Sequence, residues 1–331
     1  MTDTLLLARQ DVAELLPMGD CIEAVEAAFR AGKEASIPSA VLSLHAPRGG
    51  FHVKAAGLRR DRLYVAAKIN ANFPDNPRVG LPTIQGLVAL CDGDDGQLLA
   101  VMDSIEVTAL RTAAATGVAA RVLARPDATT IALCGCGMQG AYQIRALAAV
   151  RQLSSVHVHD RDHGRAVLFA ARLSTELGVP ISVAADWPAA ARSADMVVTC
   201  TTSTSPILRA GDVRPGTFVA AVGADNPGKQ EIEPALLAAS RVFVDSLEQA
   251  AAMGDLHHAI EAGVMSAREV QAELWEVVSG GKPGRRSAEE ITIFDSTGVA
   301  IEDVAAAAIV YERALAAGRG RPFDLGSGGA R

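Results

Sequence analysis

This 331-residue sequence has few aromatic side chains, no long apolar run and no excess of positive over negative charge. Aromatic residues make up 4% of a chain that is 49% hydrophobic, so its core must be built mainly from Ala, Val, Leu and Ile. No apolar run reaches the roughly 18 to 20 residues that a membrane-spanning helix needs. The stretch MTDTLLLARQDVAELL has acidic residues close behind a short apolar run, which is not the pattern of a signal peptide. We therefore expect no contact with a membrane.

The balance of charge excludes a further class of partner. Lys and Arg total 31 against 38 Asp and Glu, which gives a formal net charge of −7. Such a chain lacks the basic excess that is typical of nucleic-acid-binding proteins, so we expect no nucleic-acid partner. A local basic pocket for a small anion is still compatible with this composition.

Cysteines are few and scattered, at positions 21, 91, 134, 136 and 200. An odd number without regular spacing is typical of reduced thiols, so we expect a cytoplasmic protein. Cys134 and Cys136 could suggest a metal site, but no second Cys or His pair stands at ligand spacing, and we expect no bound metal. Both fit better as small residues that end a buried strand.

The first hundred residues show a change of hydrophobic period. GDCIEAVEAAFRAGKE has apolar residues at helical spacing, and Asp20 with Glu23 is expected to cap this helix. From about Phe51 the period becomes two, and the strands that it predicts are FHVKAAG, LYVAAKINANF, TIQGLVALCD and QLLAVMD. The acidic stretch DGDDG is expected to be the turn between the last two. A helix followed by a mainly antiparallel sheet is therefore predicted.

The remainder of the chain alternates between strand and helix patterns. After the Ala-rich helix EVTALRTAAATGVAARVLARP come the short apolar strands TTIALCG, SVHVHD, ISVAAD, DMVVTCTT, TFVAAVGAD and RVFVDS, which Ala-rich stretches separate. Continuous apolar strands suit a parallel sheet that is covered on both faces. The pattern predicts a doubly wound domain with its ligand at the carboxyl ends of the strands. One more helix, GVAIEDVAAAAIVYERALAAG, follows near the end of the chain.

A glycine motif lies between the first of these strands and the next helix. Gly135, Gly137 and Gly140 have the G-x-G-x-x-G spacing of the dinucleotide fingerprint, in the strand-to-helix context that the fingerprint requires. The first glycine permits the tight turn, the second a close approach of the pyrophosphate, and the third close packing of helix and strand. The helix N-terminus offers free N–H groups to the phosphates. The motif predicts a bound dinucleotide.

Asp160 ends the following strand, 20 residues after Gly140. A carboxylate there can accept hydrogen bonds from the adenosine ribose and would repel a 2′-phosphate, which favours NAD over NADP. Arg161, the next residue, weakens that preference because its cation could bind a phosphate.

Several stretches together resemble the ornithine cyclodeaminase/mu-crystallin family: AAKINANFPDNPRVGLPTIQG, LLAVMDSIEVTALRTAAATGVAARVLARPD, CGCGMQG, VGADNPGKQEI and ITIFDSTGVAIEDVAAA. They occur in order over nearly the whole chain. The resemblance implies a nicotinamide cofactor and a homodimer formed through the non-Rossmann domain. It also implies a substrate and dimerisation domain from residues 1–115 plus 296–331, and a Rossmann domain from 116–295.

The same resemblance implies roles for individual residues at the substrate. Lys68 matches a lysine that contacts substrate, and Arg111 matches an arginine whose planar fork can hold a carboxylate through two hydrogen bonds. Asp225 matches a catalytic aspartate beside the nicotinamide, and Thr83 is a further candidate substrate contact. These residues suit the interconversion of an amino acid and its imino acid, which needs a carboxylate clamp and proton-transfer groups.

A second set of residues is implied at the cofactor. Thr112 matches a phosphate contact, and Met138 and Gln139 lie within the glycine loop. Thr202 follows the fourth predicted strand of the Rossmann domain. The residues that match family positions around the nicotinamide end of the cofactor are Val222, Lys229 and Ser296.

Each of the three main residues also has an ordinary structural interpretation. Lys68 could be a solvent-facing strand residue, and Asp225 could cap a turn. Arg111 could pair with Glu106 or Asp103 on its own helix or just before it.

The sequence departs from the family at one point in the substrate domain. Many members have a carboxylate-binding arginine, where this chain has Ser39, and a Met-Pro pair, where it has Lys54 and Ala55. His52 and Lys54 are two residues apart in a predicted strand and are expected to share a face, which would add cations beside Lys68 if that face is turned toward it.

Lys54 could replace the missing arginine, bind a second carboxylate of a dicarboxylic imino acid such as iminosuccinate, or be a solvated strand lysine. Arg48 is an alternative replacement for the arginine if the alignment contains a gap.

Three functions are compatible with these residues. The first is an NAD-dependent reductase of a small imino acid, or an alanine-dehydrogenase-like enzyme. The second is an ornithine or lysine cyclodeaminase, a lyase whose NAD is regenerated in each turnover. The third is a non-catalytic ligand-binding protein like mu-crystallin. A lysine beside the site would repel the distal ammonium of ornithine, which favours the reductase.

Overall fold

Two main sheets organise the chain, one mostly antiparallel and one parallel. The computed structural model describes residues 3–32 and 36–325. The chain divides into two units, the first formed by Met1–Thr112 with Val299–Arg331 and the second by Ala113–Gly298. The predicted fold class, a doubly wound Rossmann domain plus a smaller α/β domain with a mainly antiparallel sheet, is confirmed.

A seven-stranded sheet forms the centre of the first unit. Its strands are β1 (Thr4–Leu7), β2 (Ser36–Ala46), β3 (Gly49–Arg59), β4 (Leu63–Asn72), β5 (Ile84–Asp92), β6 (Leu98–Asp103) and β17 (Arg321–Phe323). Their order is β17-β1-β6-β5-β4-β3-β2, and all pairings are antiparallel except that of β1 with β6. The helices are α1 (Arg9–Leu15), α2 (Met18–Ala31), α11 (Ala300–Ala317) and the first part of α3 (Ser104–Leu123).

The two faces of this sheet differ because side chains alternate along each strand. On β4, Tyr64, Ala66 and Lys68 are only 3%, 2% and 3% exposed, and helix α11 packs on their face of the sheet. Ile69, which points the other way, is 42% exposed. The inner face thus places a lysine in the core of the unit, and the outer face is apolar and open.

A parallel eight-stranded sheet forms the centre of the second unit. Its strands are β7 (Thr130–Cys134), β8 (Ser155–His159), β9 (Ile181–Val183), β10 (Met196–Thr199), β12 (Phe218–Ala221), β14 (Arg241–Val244), β15 (Ala272–Glu273) and β16 (Thr292–Asp295). The helices are α4 (Met138–Val150), α5 (His163–Leu177), α6 (Trp187–Ser193), α7 (Pro234–Ala238), α8 (Leu247–Met253), α9 (Asp255–Glu261) and α10 (Leu274–Val278). A small parallel pair is formed by β11 (Thr204–Leu208) and β13 (Gln230–Ile232).

The strand order of this sheet is β15-β14-β16-β12-β10-β7-β8-β9. The order changes direction at β7, because β8 and β9 lie on one side of it and β10 and β12 on the other. A crevice outside the carboxyl ends of the strands at such a switch point is where ligands bind in doubly wound sheets. All residues of β10 and β12 are buried, as expected for strands covered on both faces.

The structure corrects the predicted start of the first long helix. Helix α2 begins at Met18 after Pro17, and no side chain caps it. Pro17, whose ring holds φ near the helical value at −54°, is the N-cap in place of Asp20, so the helix begins three residues earlier than expected and Asp20 lies inside its first turn. There Asp20 pairs with Arg313 at 2.7 Å instead of capping.

The strand pattern also begins earlier than the expected start at Phe51, because β2 (Ser36–Ala46) precedes it, whereas the expected acidic turn is confirmed. The DGDDG stretch is the β5–β6 turn, with a left-handed Gly96 at φ 79° and a hydrogen bond from Asp94 N to Asp92 Oδ1 of 2.7 Å. Among the described residues, no helix combines the length and the apolar character that a membrane span requires.

Candidate active site

Four charged residues form a buried cluster in the first unit. Lys68 on β4 and Arg111 on α3 meet Glu302 and Asp303, which lie in the first turn of α11. Asp303 Oδ1 accepts from Lys68 Nζ at 2.8 Å and from Arg111 Nε at 2.9 Å, and Glu302 Oε2 accepts from Arg111 Nη1 at 2.7 Å. All four are 5% exposed or less. Charges buried to this degree must be paired, and here two cations face two carboxylates.

The cluster brings the pKa of Lys68 into the neutral range. Burial and the positive charge of Arg111 lower the pKa of Lys68 to about 7, although the Asp303 carboxylate opposes the shift. Burial alone would raise the pKa of Asp303, but the charges of Arg111 and Lys68 outweigh it and leave that pKa lowered. Lys68 can therefore hold or release a proton near neutral pH while Asp303 stays ionised.

Arg111 has two acidic partners that were not considered in the sequence. Asp103 instead pairs with Arg9 and accepts from the backbone N–H of Glu106 at 2.8 Å. These two partners, Glu302 and Asp303, stand about 190 residues away along the chain. Their signal in the sequence was an adjacent acidic pair in the otherwise apolar helix AIEDVAAAA, because such charges are buried only when they are paired.

Lys54 shares the inner face of the sheet with Lys68, which answers the question that the alternation on β3 left open. The two lysines are direct partners in the β3–β4 register. The charge of Lys54 contributes to the lowered pKa values of both Lys68 and Asp303. His52 follows on the same face, with its Nδ1 3.2 Å from Ser43 Oγ. One wall of this unit therefore carries the cations of Lys54, Lys68 and Arg111.

The other candidates in the first unit lie at different places in the sheet. Ser39 is exposed in β2, at an irregularity of the β2–β3 register. Arg48 lies in the turn between these strands, and its role as the displaced arginine stays a prediction. Thr83 is half-buried just before β5, and Thr112 is half-buried beside Arg111 on α3.

The glycine loop of the second unit connects β7 to α4. Gly135 has a φ of 108°, and a Cβ there would lie 2.7 Å from Cys200 O. A Cβ on Gly140 would lie 2.2 Å from Gly135 O, so the helix packs against the turn. A Cβ on Gly137 would meet nothing within 4 Å, and no side chain caps the helix that starts at Met138. This open backbone and uncapped N-terminus fit a bound pyrophosphate.

Asp160 is anchored to this loop. Its Oδ2 accepts from Cys136 N at 2.9 Å, and its Oδ1 accepts from Asp162 N at 2.9 Å. The carboxylate is thus fixed beside the glycine turn, where a ribose diol is expected. Arg161 is exposed. In the first turn of α4, Met138 is exposed and Gln139 is half-buried.

The remaining candidates follow the carboxyl ends of neighbouring strands. Thr202 is exposed after β10, and Val222 is 8% exposed after β12. Asp225 has a side chain that is 55% exposed and accepts from Lys229 Nζ at 2.7 Å, so Lys229 also neutralises a charge within its own loop. Ser296, after β16, donates to Asp245 Oδ2 at 3.3 Å.

The cysteines of the glycine loop are buried at the end of β7. Burial raises the pKa of Cys134 and Cys136 to about 12, which makes both thiols unreactive. In the part of the chain that the structure describes, no group of three or more His, Cys, Asp or Glu side chains is placed to hold a metal ion.

The parallel sheet, its switch point and the glycine turn define a dinucleotide-binding fold of the Rossmann class. The sequence model of the ornithine cyclodeaminase/mu-crystallin family matches residues 2–318, and the chain belongs to this family. The predicted resemblance is thereby confirmed.

Curated relatives match over almost the whole chain. An alanine dehydrogenase of Archaeoglobus fulgidus is 40% identical over 317 residues, which covers 95% of this chain and 96% of the relative. An iminosuccinate reductase of Paracoccus denitrificans is 35% identical over 330 residues, which covers 97% of this chain and 100% of the relative.

Solved structures agree closely with the fold. An archaeal alanine dehydrogenase dimer with bound NAD has a TM-score of 0.93 at 38% identity and covers 98% of this chain and 100% of its own. The Δ1-pyrroline-2-carboxylate reductase of Thermococcus litoralis, in complex with NADH and L-proline, has a TM-score of 0.92 at 32% identity. This match covers 97% of this chain and 100% of the reductase chain.

Proposed function

We propose that this chain is an NAD-dependent oxidoreductase that reduces a small imino acid to the L-amino acid, and that the imino acid has a second carboxylate. The observation that carries the proposal is the buried cluster around Lys68, with a proton-transfer group of pKa about 7 beside two further cations. Relatives that reduce imino acids, and the NAD and NADH bound in related structures, support the reaction class and the cofactor.

The glycine loop and the start of α4 would hold the pyrophosphate, and Asp160 the adenosine ribose. The reduced nicotinamide supplies a hydride to the imine carbon when it is bound. Arg111 is proposed to bind the α-carboxylate of the substrate and Lys68 to give a proton to its nitrogen. Asp225, in the second unit, is proposed as a further proton-transfer group, and Lys229 Nζ donates a hydrogen bond to it.

Lys54 is proposed to select the second carboxylate. It is the register partner of Lys68 and adds a positive charge on the same wall. That charge would attract the distal carboxylate of iminosuccinate and repel the distal ammonium of ornithine or lysine. This charge is the reason to prefer the reductase over the cyclodeaminase.

Replacing Lys54 with Met tests this selection. We expect kcat/KM for oxaloacetate plus ammonia to fall about 10- to 100-fold, the effect of one lost charge-assisted hydrogen bond, and to change less for pyruvate plus ammonia. The measurement is NADH oxidation at 340 nm with each pair of substrates. Lys54→Arg retains the cation and is the matched control. Equal losses for both keto acids would show that Lys54 does not recognise a second carboxylate.

The outer face of the seven-stranded sheet is proposed as the interface of a homodimer. The register places its apolar side chains on one face, and those that are 38–54% exposed are Leu42, Leu44, Phe51, Ile69 and Leu87. A continuous apolar patch of this kind is typical of an interface. The dimeric alanine dehydrogenase structure supports a second copy of this chain as its occupant.

The variant Leu42→Glu/Leu44→Glu is expected to be monomeric, because two carboxylates cannot be buried against an apolar partner face. Light scattering after size-exclusion chromatography measures the mass of the wild-type and variant proteins. Leu315→Glu, at a residue 53% exposed on α11, is the control and should leave the mass unchanged. An unchanged dimer in the double variant would contradict this interface.

A further inference from the structure

Glu231 is a fully buried carboxylate that none of the roles above uses. It lies in β13 and is 0% exposed. Its Oε1 accepts from the backbone N of Thr201 at 2.5 Å, and its Oε2 accepts from the backbone N of Gly223 at 2.8 Å. One side chain therefore joins two backbone segments that are 22 residues apart in sequence.

These two segments follow neighbouring strands of the parallel sheet. Thr201 comes just after β10 and Gly223 just after β12, and the ends of these strands pair through Thr199 and Ala221. The carboxyl ends of such strands are where a doubly wound sheet binds its ligand. The two loops also carry the cofactor and catalytic candidates Thr202, Val222 and Asp225.

Gly223 shows how closely its backbone approaches the carboxylate. A Cβ built on this glycine would lie 2.4 Å from Glu231 Cδ and 2.5 Å from each carboxylate oxygen. Any larger residue at this position would displace either the loop or the carboxylate. The requirement for glycine here is therefore spatial and follows from the position of Glu231.

The backbone of Glu231 is itself held by a second buried carboxylate. Asp255 Oδ1 accepts from the N–H groups of Glu231 and Ile232, both at 2.8 Å. Asp295, at the end of β16, in turn accepts from the N–H groups of Asp255 and Leu256 at 3.3 and 2.9 Å. The carboxylate of Glu231 is thus fixed in a rigid frame rather than at the end of a mobile side chain.

We infer that Glu231 is a positioning residue, which sets the spacing of the loops after β10 and β12 so that they can bind the nicotinamide half of the dinucleotide. The inference rests on the proposed function, because it assumes that this edge of the sheet binds NADH. Glu231 touches neither substrate nor cofactor in this role, and its effect passes through the Thr201 and Gly223 amides.

The variant Glu231→Gln tests the inference with little change in volume. Its side-chain NH₂ would face one of the two backbone N–H groups, which then loses its acceptor. We expect the Kd for NADH, measured by titration of NADH fluorescence, to rise about tenfold or more, as when one buried backbone N–H group loses its acceptor. Circular dichroism and Tm report whether the fold is retained.

Asp195→Asn is the matched control. Asp195 is a 7% exposed carboxylate of the same unit that also accepts from two backbone amides, those of Thr129 and Thr130 at the opposite, amino end of β7. We expect it to lower Tm while the Kd for NADH stays within about twofold of wild type, since doubly wound sheets bind ligands at the opposite, carboxyl edge.

A double variant keeps the inference testable if Glu231→Gln does not fold. Gly223→Ala should weaken NADH binding, and Gly223→Ala/Glu231→Asp should recover part of the loss because the shorter side chain withdraws from the new methyl group. Recovery supports the inference. Wild-type NADH affinity in Glu231→Gln, or no recovery in the double variant, overturns it while the proposed function stands. A wild-type protein that binds no NADH would overturn both.

Discussion

Replacing Lys68 with Met is expected to lower kcat for imino-acid reduction by roughly 10²- to 10⁴-fold, the range for loss of a positioned proton-transfer group. Lys68 Nζ lies 2.8 Å from Asp303, and the pKa of its ammonium is about 7. Met has a similar volume, and Asp303 would keep its hydrogen bond from Arg111 at 2.9 Å. The protein should therefore fold, and kcat at saturating NADH is the measurement.

The pH profile distinguishes proton donation from simple charge. Below about pH 7 Lys68 carries the proton that reduction consumes, so the rate should fall as the pH rises through this value. Lys68→Arg keeps the charge but holds its proton, because the guanidinium pKa exceeds about 12. That variant should be slow and should lack this limb of the profile. Wild-type kcat in Lys68→Arg would show that Lys68 provides only a positive charge.

Replacing Arg111 with Met is expected to lower the free energy of unfolding by about 3–5 kcal/mol, the usual cost of removing one partner of a buried ion pair. Glu302 is 0% exposed and would lose the bond from Arg111 Nη1 at 2.7 Å. Asp303 would keep Lys68 as its remaining cation. The midpoint of urea denaturation, with the slope held constant, measures the loss.

Two further variants show whether this loss comes from an uncompensated buried charge. Arg145→Met breaks a partly exposed pair with Glu176 at 2.6 Å and should cost less than about 1 kcal/mol. Arg111→Met/Glu302→Gln removes the charge left behind and should regain part of the stability. If Arg111→Met costs no more than Arg145→Met, the cluster is not the stabilising network that the geometry indicates.

Features that depend on neighbouring residues could be predicted from the sequence. The glycine loop is local, because a strand, three glycines and a helix follow one another within a short segment, and the structure shows the turn at Gly135 with its positive φ. The shared face of His52 and Lys54 also follows from a period of two along one strand, whereas their position beside Lys68 depends on the β3–β4 register. The catalytic and binding roles of these residues stay predictions.

Features that depend on distant pairing could not be predicted in the same way. Glu302 and Asp303 reach Lys68 and Arg111 only because the last helix packs on a sheet from the other end of the chain. The strands β1 and β16 have four residues each, too few for a recognisable pattern, and Asp20 does not cap α2 because Pro17 occupies the N-cap. Glu231 lies within the family stretch VGADNPGKQEI, but the two amides that it binds lie in separate loops.

The central claim is net reduction of an imino acid by NADH, and its most direct test measures stoichiometry. Purified protein is incubated with NADH, ammonia and a panel of 2-keto acids that includes oxaloacetate and pyruvate, together with a cyclic imine. Absorbance at 340 nm follows NADH, and chiral chromatography measures the amino acid formed. We expect one L-amino acid for each NADH oxidised, with aspartate formed fastest. No NADH oxidation, together with ammonia release from ornithine or lysine at catalytic NAD⁺, would contradict the claim and identify a cyclodeaminase.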